Sequence, residues 1–291
     1  MLAIVALLLA LLLAPPKHTV RVGGRPFSLT KVGGSIWVAN FGRGEVERVN
    51  PRTNRVIARI RVGGQPYGIT SAPDSVWVGN NASDSVTKID TRSNRVVARV
   101  PVGDRPIGIG YDGGAVWVAN FGDGAITRID AGTATVQARI VVPGEHEDVA
   151  FGFGSVWVPN EEGTVTRLDP ATMELRATIP VAADPDFALV ADGSVWTTAY
   201  QGRAISRIDP ATNAVASSLR VAAGLQGIAF DRGTLWVANY DQGRLLHLDA
   251  VTGKVLRRWG TGGGPRDVLL AARSVWVANS RSPTLMRLTP R

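Results

Sequence analysis

A tryptophan repeat with a period of about forty residues constrains this 291-residue chain more than any other feature. Seven of its eight tryptophans follow one another at intervals of 40, 40, 40, 39, 40 and 40 residues, each within a short run such as SVWVGN. They are Trp37, Trp77, Trp117, Trp157, Trp196, Trp236 and Trp276. Self-similarity at such a period indicates an architecture in which repeated units pack on their neighbours and bury a shared core.

Each repeat divides into four short runs separated by Pro, Asp, Asn and Gly, which predicts four strands joined by turns. The second run is apolar on both faces of its pleat and must be covered on both sides, whereas the fourth exposes arginines on one face. The even spread of 33 glycines and 17 prolines also favours many short elements. The sequence therefore predicts an all-β, seven-bladed β-propeller of four-stranded antiparallel blades.

Closure of the ring follows from counting residues. In a complete repeat the fourth strand begins 18 residues after the tryptophan, which for Trp276 lies beyond Arg291. One period before the fourth strand of the first repeat stands PPKHTVRV, at 15–22, which aligns with RVIARIRV at 55–62. We therefore expect the N-terminal strand to complete the last blade, so that the propeller spans 15–291 and leaves no incomplete blade with an open edge.

The segment before that strand is an uninterrupted apolar run, LAIVALLLALLLA, at 2–14. As a helix it would reach about 20 Å, short of the roughly 30 Å hydrocarbon core, so we expect no stable membrane span. Its length, with small Ala10 and Ala14 near its end, is typical of a secretory signal peptide. We predict a cleaved signal at 1–14 and an exported protein, either secreted, periplasmic or at the cell surface. An uncleaved anchor, a core segment and an upstream start stay open as alternatives.

The repeat motifs carry a resemblance to known propellers. The WVAN-type strand, the ID(P)xTN turn and the VxARIxVG strand resemble those of the YVTN family of seven-bladed propellers and, more distantly, of the streptogramin lyases. The resemblance covers about 15–291 and implies the fold more than an activity, because propellers host many functions. The lyase pattern implies a catalytic histidine ten residues before a repeat tryptophan. No repeat has histidine there, although Glu161 occupies the position implied for a metal-linked glutamate.

Residues present in nearly every repeat are assigned to the framework. The tryptophans are expected to be wedges between blades, the asparagine three residues later to cap its turn, and the acidic residue before the third turn to open a β-turn. The third strands carry a basic ring, Arg48, Lys88, Arg128, Arg167, Arg207, His247 and Arg287. We expect the stems of these residues to lie along the blades with solvated heads. The alternative is that these residues form a basic rim that binds a polyanion, and the net charge of +8 favours this alternative. Because no aromatic residues for base stacking alternate with these charges, nucleic acid is not the expected partner.

Two variable positions share one mouth of the predicted ring, because antiparallel order places the start of the first strand beside the end of the second. Ten residues before the tryptophans stand Phe27, Tyr67, Ile107, Glu147, Asp186, Gln226 and Arg266; four residues after them stand Phe41, Asn81, Phe121, Glu161, Tyr200, Tyr240 and Ser280. Apolar ground with a few polar groups suits a ligand site. We predict ligand binding by Phe27, Tyr67, Phe121, Glu147, Asp186, Tyr200, Gln226, Tyr240 and Arg266. A scaffold role for the surface aromatics stays open.

The fourth repeat departs most from the others, with His146 among carboxylates in the run PGEHEDV. This makes His146 and Glu161 candidate catalytic residues and His146 and Glu147 candidate ligands of a divalent cation. No second histidine lies at ligand spacing, and the absence of cysteine excludes thiol nucleophiles and cysteine-ligated metals. The sequence thus predicts an exported, monomeric propeller without a cofactor that binds a small molecule, peptide or protein. A metal-assisted lyase or hydrolase and a polyanion binder are the alternatives.

Overall fold

The computed structural model describes residues 16–290, whose regular secondary structure consists of 28 β-strands. The predicted signal at 1–14 lies outside the described residues. None of the described residues forms a helix with the length and hydrophobicity that crossing a bilayer requires.

The strands follow the forty-residue repeat, four to a unit. Blades one to three contain β2 (Pro26–Val32), β3 (Ser35–Asn40), β4 (Glu45–Asn50), β5 (Arg55–Arg61), β6 (Pro66–Ala72), β7 (Ser75–Asn80), β8 (Ser85–Asp90), β9 (Arg95–Pro101), β10 (Pro106–Asp112), β11 (Ala115–Asn120), β12 (Ala125–Asp130) and β13 (Thr135–Val141). Blades four and five contain β14 (Ala150–Gly152), β15 (Ser155–Asn160), β16 (Thr164–Leu168), β17 (Leu175–Pro180), β18 (Pro185–Ala191), β19 (Ser194–Ala199), β20 (Ala204–Asp209) and β21 (Ala214–Arg220). Blades six and seven contain β22 (Leu225–Asp231), β23 (Thr234–Asn239), β24 (Arg244–Asp249), β25 (Val255–Gly260), β26 (Pro265–Ala271), β27 (Ser274–Asn279), β28 (Thr284–Leu288) and β1 (Lys17–Arg21).

The last blade combines both ends of the chain, as predicted. Its strand order is β1-β28-β27-β26, and β1 pairs antiparallel with β28 so that Val20 lies opposite Leu285. The other six sheets are meanders in sequence order, from the inner strand at the axis to the outer strand. The seven-bladed all-β propeller is therefore confirmed.

The core lies between the blades, where the second strands meet their neighbours. Most second strands are buried along their whole length, and the seven repeat tryptophans are at most 3% exposed. Trp37, for example, packs against Val76 and Val78 of the following blade. Each such ring removes on the order of 200 Å² from water, so the wedge role predicted for the tryptophans is confirmed.

The repeated polar residues hold turns together. Asn40 accepts a hydrogen bond from the backbone N–H of Arg25 at 2.9 Å and donates to the carbonyl of Gly23 at 2.7 Å, which fastens the end of β3 to the entry turn of its blade. On the opposite face, Asp130 accepts from the backbone N–H groups of Gly132 and Thr133 at 2.9 and 2.8 Å. Both capping predictions are confirmed by these bonds.

The basic ring joins neighbouring blades. The guanidinium of Arg167 lies 4.7 Å from the ring centre of Trp157 and donates to the Pro210 carbonyl and the Asn213 side chain of blade five, each at 2.7 Å. Arg48, Lys88 and Arg287 reach the next blade in the same way. The stems lie along the blades as predicted, but the expectation of solvated heads was wrong for these four residues, because their charges satisfy carbonyls at a turn.

Candidate functional site

The variable positions converge on one mouth of the ring. The pairing of Pro66 with Asn80, repeated in register around most of the ring, places the start of each inner strand beside the end of the second strand. The mouth contains a cavity of about 390 Å³ on the side of blades four to seven, which we call the mouth cavity. It is lined by Glu147, Glu161, Asp184, Asp186, Tyr200, Gln201, Gln226, Tyr240 and Arg266.

An aromatic cluster occupies the opposite side of the mouth. Phe27 stacks on Phe41 with ring centres 4.7 Å apart and meets Tyr67 edge-on at 4.8 Å. Arg266 extends from blade seven over these rings, 4.7 Å from the centre of Phe27, and donates a hydrogen bond to the Tyr67 hydroxyl. Burial raises the pKa of Tyr67, so its hydroxyl stays neutral and can accept this bond. The cluster fixes the guanidinium at the border of the mouth cavity.

The other side of the mouth cavity is an acidic arc formed by Glu147, Glu161, Asp184 and Asp186, from blades four and five. Partial burial, a hydrogen bond with Glu145 and the charge of Glu147 raise the pKa of Glu161 to about 7. Burial and the charge of Glu147 also raise the pKa of Asp184, and they hold that of Asp186 well above its ordinary range. Carboxylates that crowd together in this way ionise together only when a cation compensates them.

Arg266 compensates this arc only in part. Its guanidinium lies 3.9 Å from Glu147, while its shorter contact is the Tyr67 hydroxyl. One cation therefore faces four carboxyl groups in the mouth cavity.

Asp186 and Gln226 form the inner wall of the mouth cavity and are 5% and 4% exposed. The Gln226 amide donates to one carboxylate oxygen of Asp186. The other Asp186 oxygen, Oδ1, and the Gln226 oxygen, Oε1, have no hydrogen-bond partner among the described residues. Buried polar atoms are almost always paired in native proteins, so these two acceptors are the chemically unsatisfied part of the wall.

Two tyrosines form the outer wall. The ring centres of Tyr200 and Tyr240 lie 6.4 Å apart, and the Tyr200 hydroxyl donates to Asp241 at 2.9 Å. Partial burial and the neighbouring Asp241 carboxylate raise the pKa of Tyr200 to about 12. Arg281 covers Tyr240 at 4.2 Å. The rings are thus held as a rigid amphipathic wall.

The entry to blade four has a different backbone from the other blades. Its inner strand, β14, is only three residues long, and His146 makes an isolated bridge with Asn160 where five other blades pair proline with the equivalent residue. His146 is fully buried, with Nε2 3.0 Å from the carbonyl oxygen of Val142. The histidine therefore fills a packing position and does not line the mouth cavity.

This placement separates the two candidate catalytic residues. Glu161 lies in the mouth cavity, and Glu147 joins it there, but His146 faces the turn behind them. Within residues 16–290, no group of three or more His, Cys, Asp or Glu side chains is arranged to hold a metal ion. The geometry thus gives the metal-assisted alternative no paired histidine and carboxylate at the mouth.

Six of the nine predicted ligand-binding residues line the mouth cavity, namely Glu147, Asp186, Tyr200, Gln226, Tyr240 and Arg266. Phe27 and Tyr67 lie beside it in the aromatic cluster, and Phe121 joins neither group. Phe121 lies under the guanidinium of Arg105, with 4.8 Å between the guanidinium and the centre of the Phe121 ring, and it does not line the mouth cavity. Sequence reasoning missed Asp184 and Gln201, which line the mouth cavity. Asp184 stands twelve residues before its tryptophan, a position that also varies in charge: Arg25, Gln65, Arg105, Glu145, Asp184, Gly224 and Gly264. Variation in charge at this third repeat position could have identified Asp184 from the sequence.

Two further carboxylates lie below the mouth and join inner strands. Asp267 accepts hydrogen bonds from the Ser28 hydroxyl at 2.9 Å and the backbone N–H of Leu29 at 2.7 Å, which connects blade seven to blade one. Asp148 accepts from the backbone N–H of Ala188 at 3.0 Å and connects blade four to blade five. Burial raises the pKa of Asp148 to about 7. Each of these carboxylates therefore holds the inner strands of two neighbouring blades together.

Comparison with solved structures shows the same fold in proteins of different activity. The chain is similar to a structure described as streptogramin B lyase, with a TM-score of 0.82 and 15% identity over 94% of this chain and 97% of the other. It is also similar to Kuenenia stuttgartiensis hydrazine synthase, with a TM-score of 0.77 and 20% identity over 89% of this chain and 94% of the other. At such identities the likeness concerns the fold alone. Comparison with curated protein sequences finds no match.

Comparison with protein families gives a more specific result. Residues 42–261, which include five of the seven repeat tryptophans, match the PQQ_2 family, described as outer membrane protein assembly factor BamB. The resemblance to the YVTN family stays one of repeat motifs, whereas this match extends over most of the propeller. The chain therefore belongs to the BamB-type PQQ_2 family of β-propellers.

Proposed function

We propose that this protein is an exported, monomeric, non-catalytic β-propeller that binds a small molecule in the mouth cavity. The observation that carries the proposal is the contrast between framework and mouth. Tryptophan, asparagine and basic residues recur from blade to blade with the same contacts. At the mouth, equivalent positions instead carry Phe, Tyr, Glu, Asp, Gln and Arg, and those of blades four to seven surround one cavity.

The size and lining of the mouth cavity favour a small ligand. Its volume of about 390 Å³ falls within the range of small-molecule sites, and aromatic walls combined with a few convergent polar groups are typical of them. A peptide end of a protein partner would enter the same cavity. Export is supported by the apolar segment at 2–14 and by the family description, which names an outer membrane assembly factor. A monomer is supported by closure of the ring with the chain's own N-terminal strand.

The test is retention of a ligand by protein purified from its own host. Native mass spectrometry of the intact protein should show a bound small molecule, and the double variant Tyr200→Ala, Tyr240→Ala should lose at least about nine-tenths of it, because each ring contributes roughly 1 kcal/mol or more of contact. Phe121→Ala is the matched control: it removes an aromatic ring at the same repeat position, outside the mouth cavity. Equal retention by the wild type and the double variant would reject the mouth cavity as the site.

A further inference from the structure

Two buried acceptor atoms without hydrogen-bond donors indicate which kind of ligand the mouth cavity binds. The two buried atoms of this wall without a partner among residues 16–290 are Asp186 Oδ1 and Gln226 Oε1, and both are acceptors. The bond to Asp186 fixes the orientation of the Gln226 amide, since turning the amide over would replace the N–H donor that faces the carboxylate oxygen with a second oxygen. The wall therefore requires hydrogen-bond donors from whatever binds there.

The carboxyl groups of the mouth cavity independently favour a ligand that carries positive charge. Glu147, Glu161, Asp184 and Asp186 line it together with one cation, Arg266. That guanidinium is bound to the Tyr67 hydroxyl and lies over the Phe27 ring, so it cannot move across the cavity to Glu161 or Asp184 without leaving its cluster. A ligand that supplies positive charge would relieve the repulsion among the carboxylates.

A metal ion and an organic cation meet these demands differently. A metal ion needs several ligand side chains converging on one point, and residues 16–290 contain no such group of three or more. A protonated amine combines charge with three N–H donors, and its organic part can contact an aromatic wall. The Tyr200 and Tyr240 rings provide such a wall beside the acidic arc.

We propose that the mouth cavity binds the protonated primary amine of a small organic ligand, with the ammonium group between Asp186, Gln226 and Glu161 and the organic part against Tyr200 and Tyr240. This proposal rests on the proposed function and specifies its ligand class. Because the unpartnered acceptors are buried, the N–H donors matter as well as the charge.

The experiment uses 2-phenylethylamine as the probe and isothermal titration calorimetry at pH 8 as the measurement. Its quaternary analogue, trimethyl(2-phenylethyl)ammonium, keeps the charge without the donors, and 2-phenylethanol keeps a donor without the charge. We expect binding of the amine at low millimolar concentration or below, at least about tenfold tighter than either analogue, which corresponds to one charged hydrogen bond. Absence of amine binding in this range, or equal binding of all three compounds, would overturn the proposal.

Variants locate the bound ammonium. Glu161→Gln should weaken amine binding about five- to tenfold, because it removes a charge at the cavity and preserves the shape of the side chain. Glu162→Gln is the matched control, since Glu162 is exposed, adjacent in sequence and not part of the cavity lining. Asp186→Asn tests the buried wall, and circular dichroism shows whether this variant folds. If Glu161→Gln and Glu162→Gln bind the amine equally, the ammonium position proposed here is wrong.

Failure of this inference is distinguishable from failure of the proposed function. If the host ligand is retained and its retention depends on Tyr200 and Tyr240, but the amine does not bind, the cavity is a ligand site for a different chemistry. If the tyrosine variants retain the host ligand as the wild type does, both proposals fall. Divalent cations that displace the amine stoichiometrically would instead make the acidic arc a metal site and overturn the amine assignment.

Discussion

At the scale of single residues, environment changes the chemistry of carboxyl groups that look alike in sequence. Asp130 lies at a turn, where hydrogen bonds from the backbone N–H groups and the hydroxyl of neighbouring residues lower its pKa. Burial raises the pKa of Asp148, and both burial and neighbouring carboxylates raise that of Glu161. These opposite shifts give predictions of opposite sign for the pH dependence of binding and stability.

Amine binding should depend on pH through Glu161. Its pKa of about 7 means that lowering the pH from 8 to 6 protonates it and removes a charge that attracts the ammonium, while the amine itself stays protonated. Glu145, Glu147 and Asp184 face the same carboxyl group and raise its pKa. We expect amine affinity measured by calorimetry to fall about five- to tenfold over this interval, and Glu161→Gln to reduce that slope. Affinity that rises as pH falls would contradict this prediction.

Fold stability should depend on pH through Asp148. Its pKa of about 7 in the folded protein exceeds the value of about 4 expected for the unfolded chain, so the folded state binds more protons between these values. The contribution of Asp148 to the free energy of unfolding is therefore largest below about pH 4, and this contribution should fall by roughly 2–4 kcal/mol as pH rises from 4 to 8.

Asp148→Asn should reduce this decline, because asparagine can still accept from the Ala188 N–H without carrying a charge. Urea unfolding at several pH values measures the effect. Asp130→Asn provides the control for sign, since the pKa of Asp130 is lowered by its bonds to Thr133. If Asp148→Asn leaves the pH profile unchanged, Asp148 does not titrate as stated.

At the scale of strands and turns, the blades depend on contacts that one side chain makes with the next blade. Arg167 on β16 stacks on Trp157 and donates to Pro210 and Asn213 of blade five. Inner strands also approach closely: a β-carbon added to Gly68 would lie 2.1 Å from the carbonyl oxygen of Ile107. Contacts between blades can thus require a charged side chain at one repeat position and the lack of a side chain at another.

Removing the contacts that Arg167 makes with blade five should destabilise the fold. Arg167→Ala leaves two acceptors of blade five without their donor and uncovers the Trp157 ring, so we expect a loss of about 2–3 kcal/mol of unfolding free energy in urea denaturation. Arg232→Ala is the control, because its side chain is 88% exposed and pairs with adjacent Asp231. If Arg167→Ala and Arg232→Ala lower the unfolding free energy equally, the contacts of Arg167 with blade five do not stabilise the fold.

Adding a methyl group at Gly68 tests the spacing of the inner strands. Because the neighbouring atom is backbone, Gly68→Ala requires β6 and β10 to move apart, and we expect a cost of about 2–3 kcal/mol. Gly260→Ala is matched in chemistry, but its β-carbon would meet no atom within 4 Å among the described residues. Thermal unfolding of both variants measures the difference, and equal melting temperatures would refute the proposed close approach.

At the scale of the whole molecule, stability depends on closing the ring. Val20 of β1 is 1% exposed and packs in the core that blade seven shares with blade one, whereas neighbouring Thr19 is exposed. On β1, the Val20 side chain therefore faces the core, and the adjacent Thr19 side chain faces the solvent. Propellers use such shared blades to avoid an incomplete sheet with an unpaired edge.

Val20→Asp should open the closure. An unpaired buried carboxylate costs about 3–5 kcal/mol, so we expect a lower melting temperature and faster proteolysis at both ends of the chain. Thr19→Asp places the same charge on the same strand facing solvent and should change the unfolding free energy by less than about 0.5 kcal/mol. Similar melting of the two variants would mean that β1 does not support the ring.

Much of the architecture was predictable because it depends on repeated residues in repeated environments. The tryptophan interval predicts the number of blades, and the missing fourth strand of the last repeat predicts its pairing with the N-terminal strand. Equivalent buried positions carry the same type of residue in every repeat, because each repeat tryptophan, such as Trp37, packs in the same kind of pocket between two blades.

The tertiary structure alone decided which variable residues meet. Phe121 and Tyr200 occupy the same repeat position, yet one lies beneath Arg105 and the other lines the mouth cavity. His146 turns inward because the entry of blade four replaces a buried proline, and Arg266 reaches Tyr67 across blade one. The contact of Arg266 with Tyr67 joins repeats that are not neighbours in sequence, and the placement of His146 depends on a local change of backbone, so no periodic pattern in the sequence records these two features.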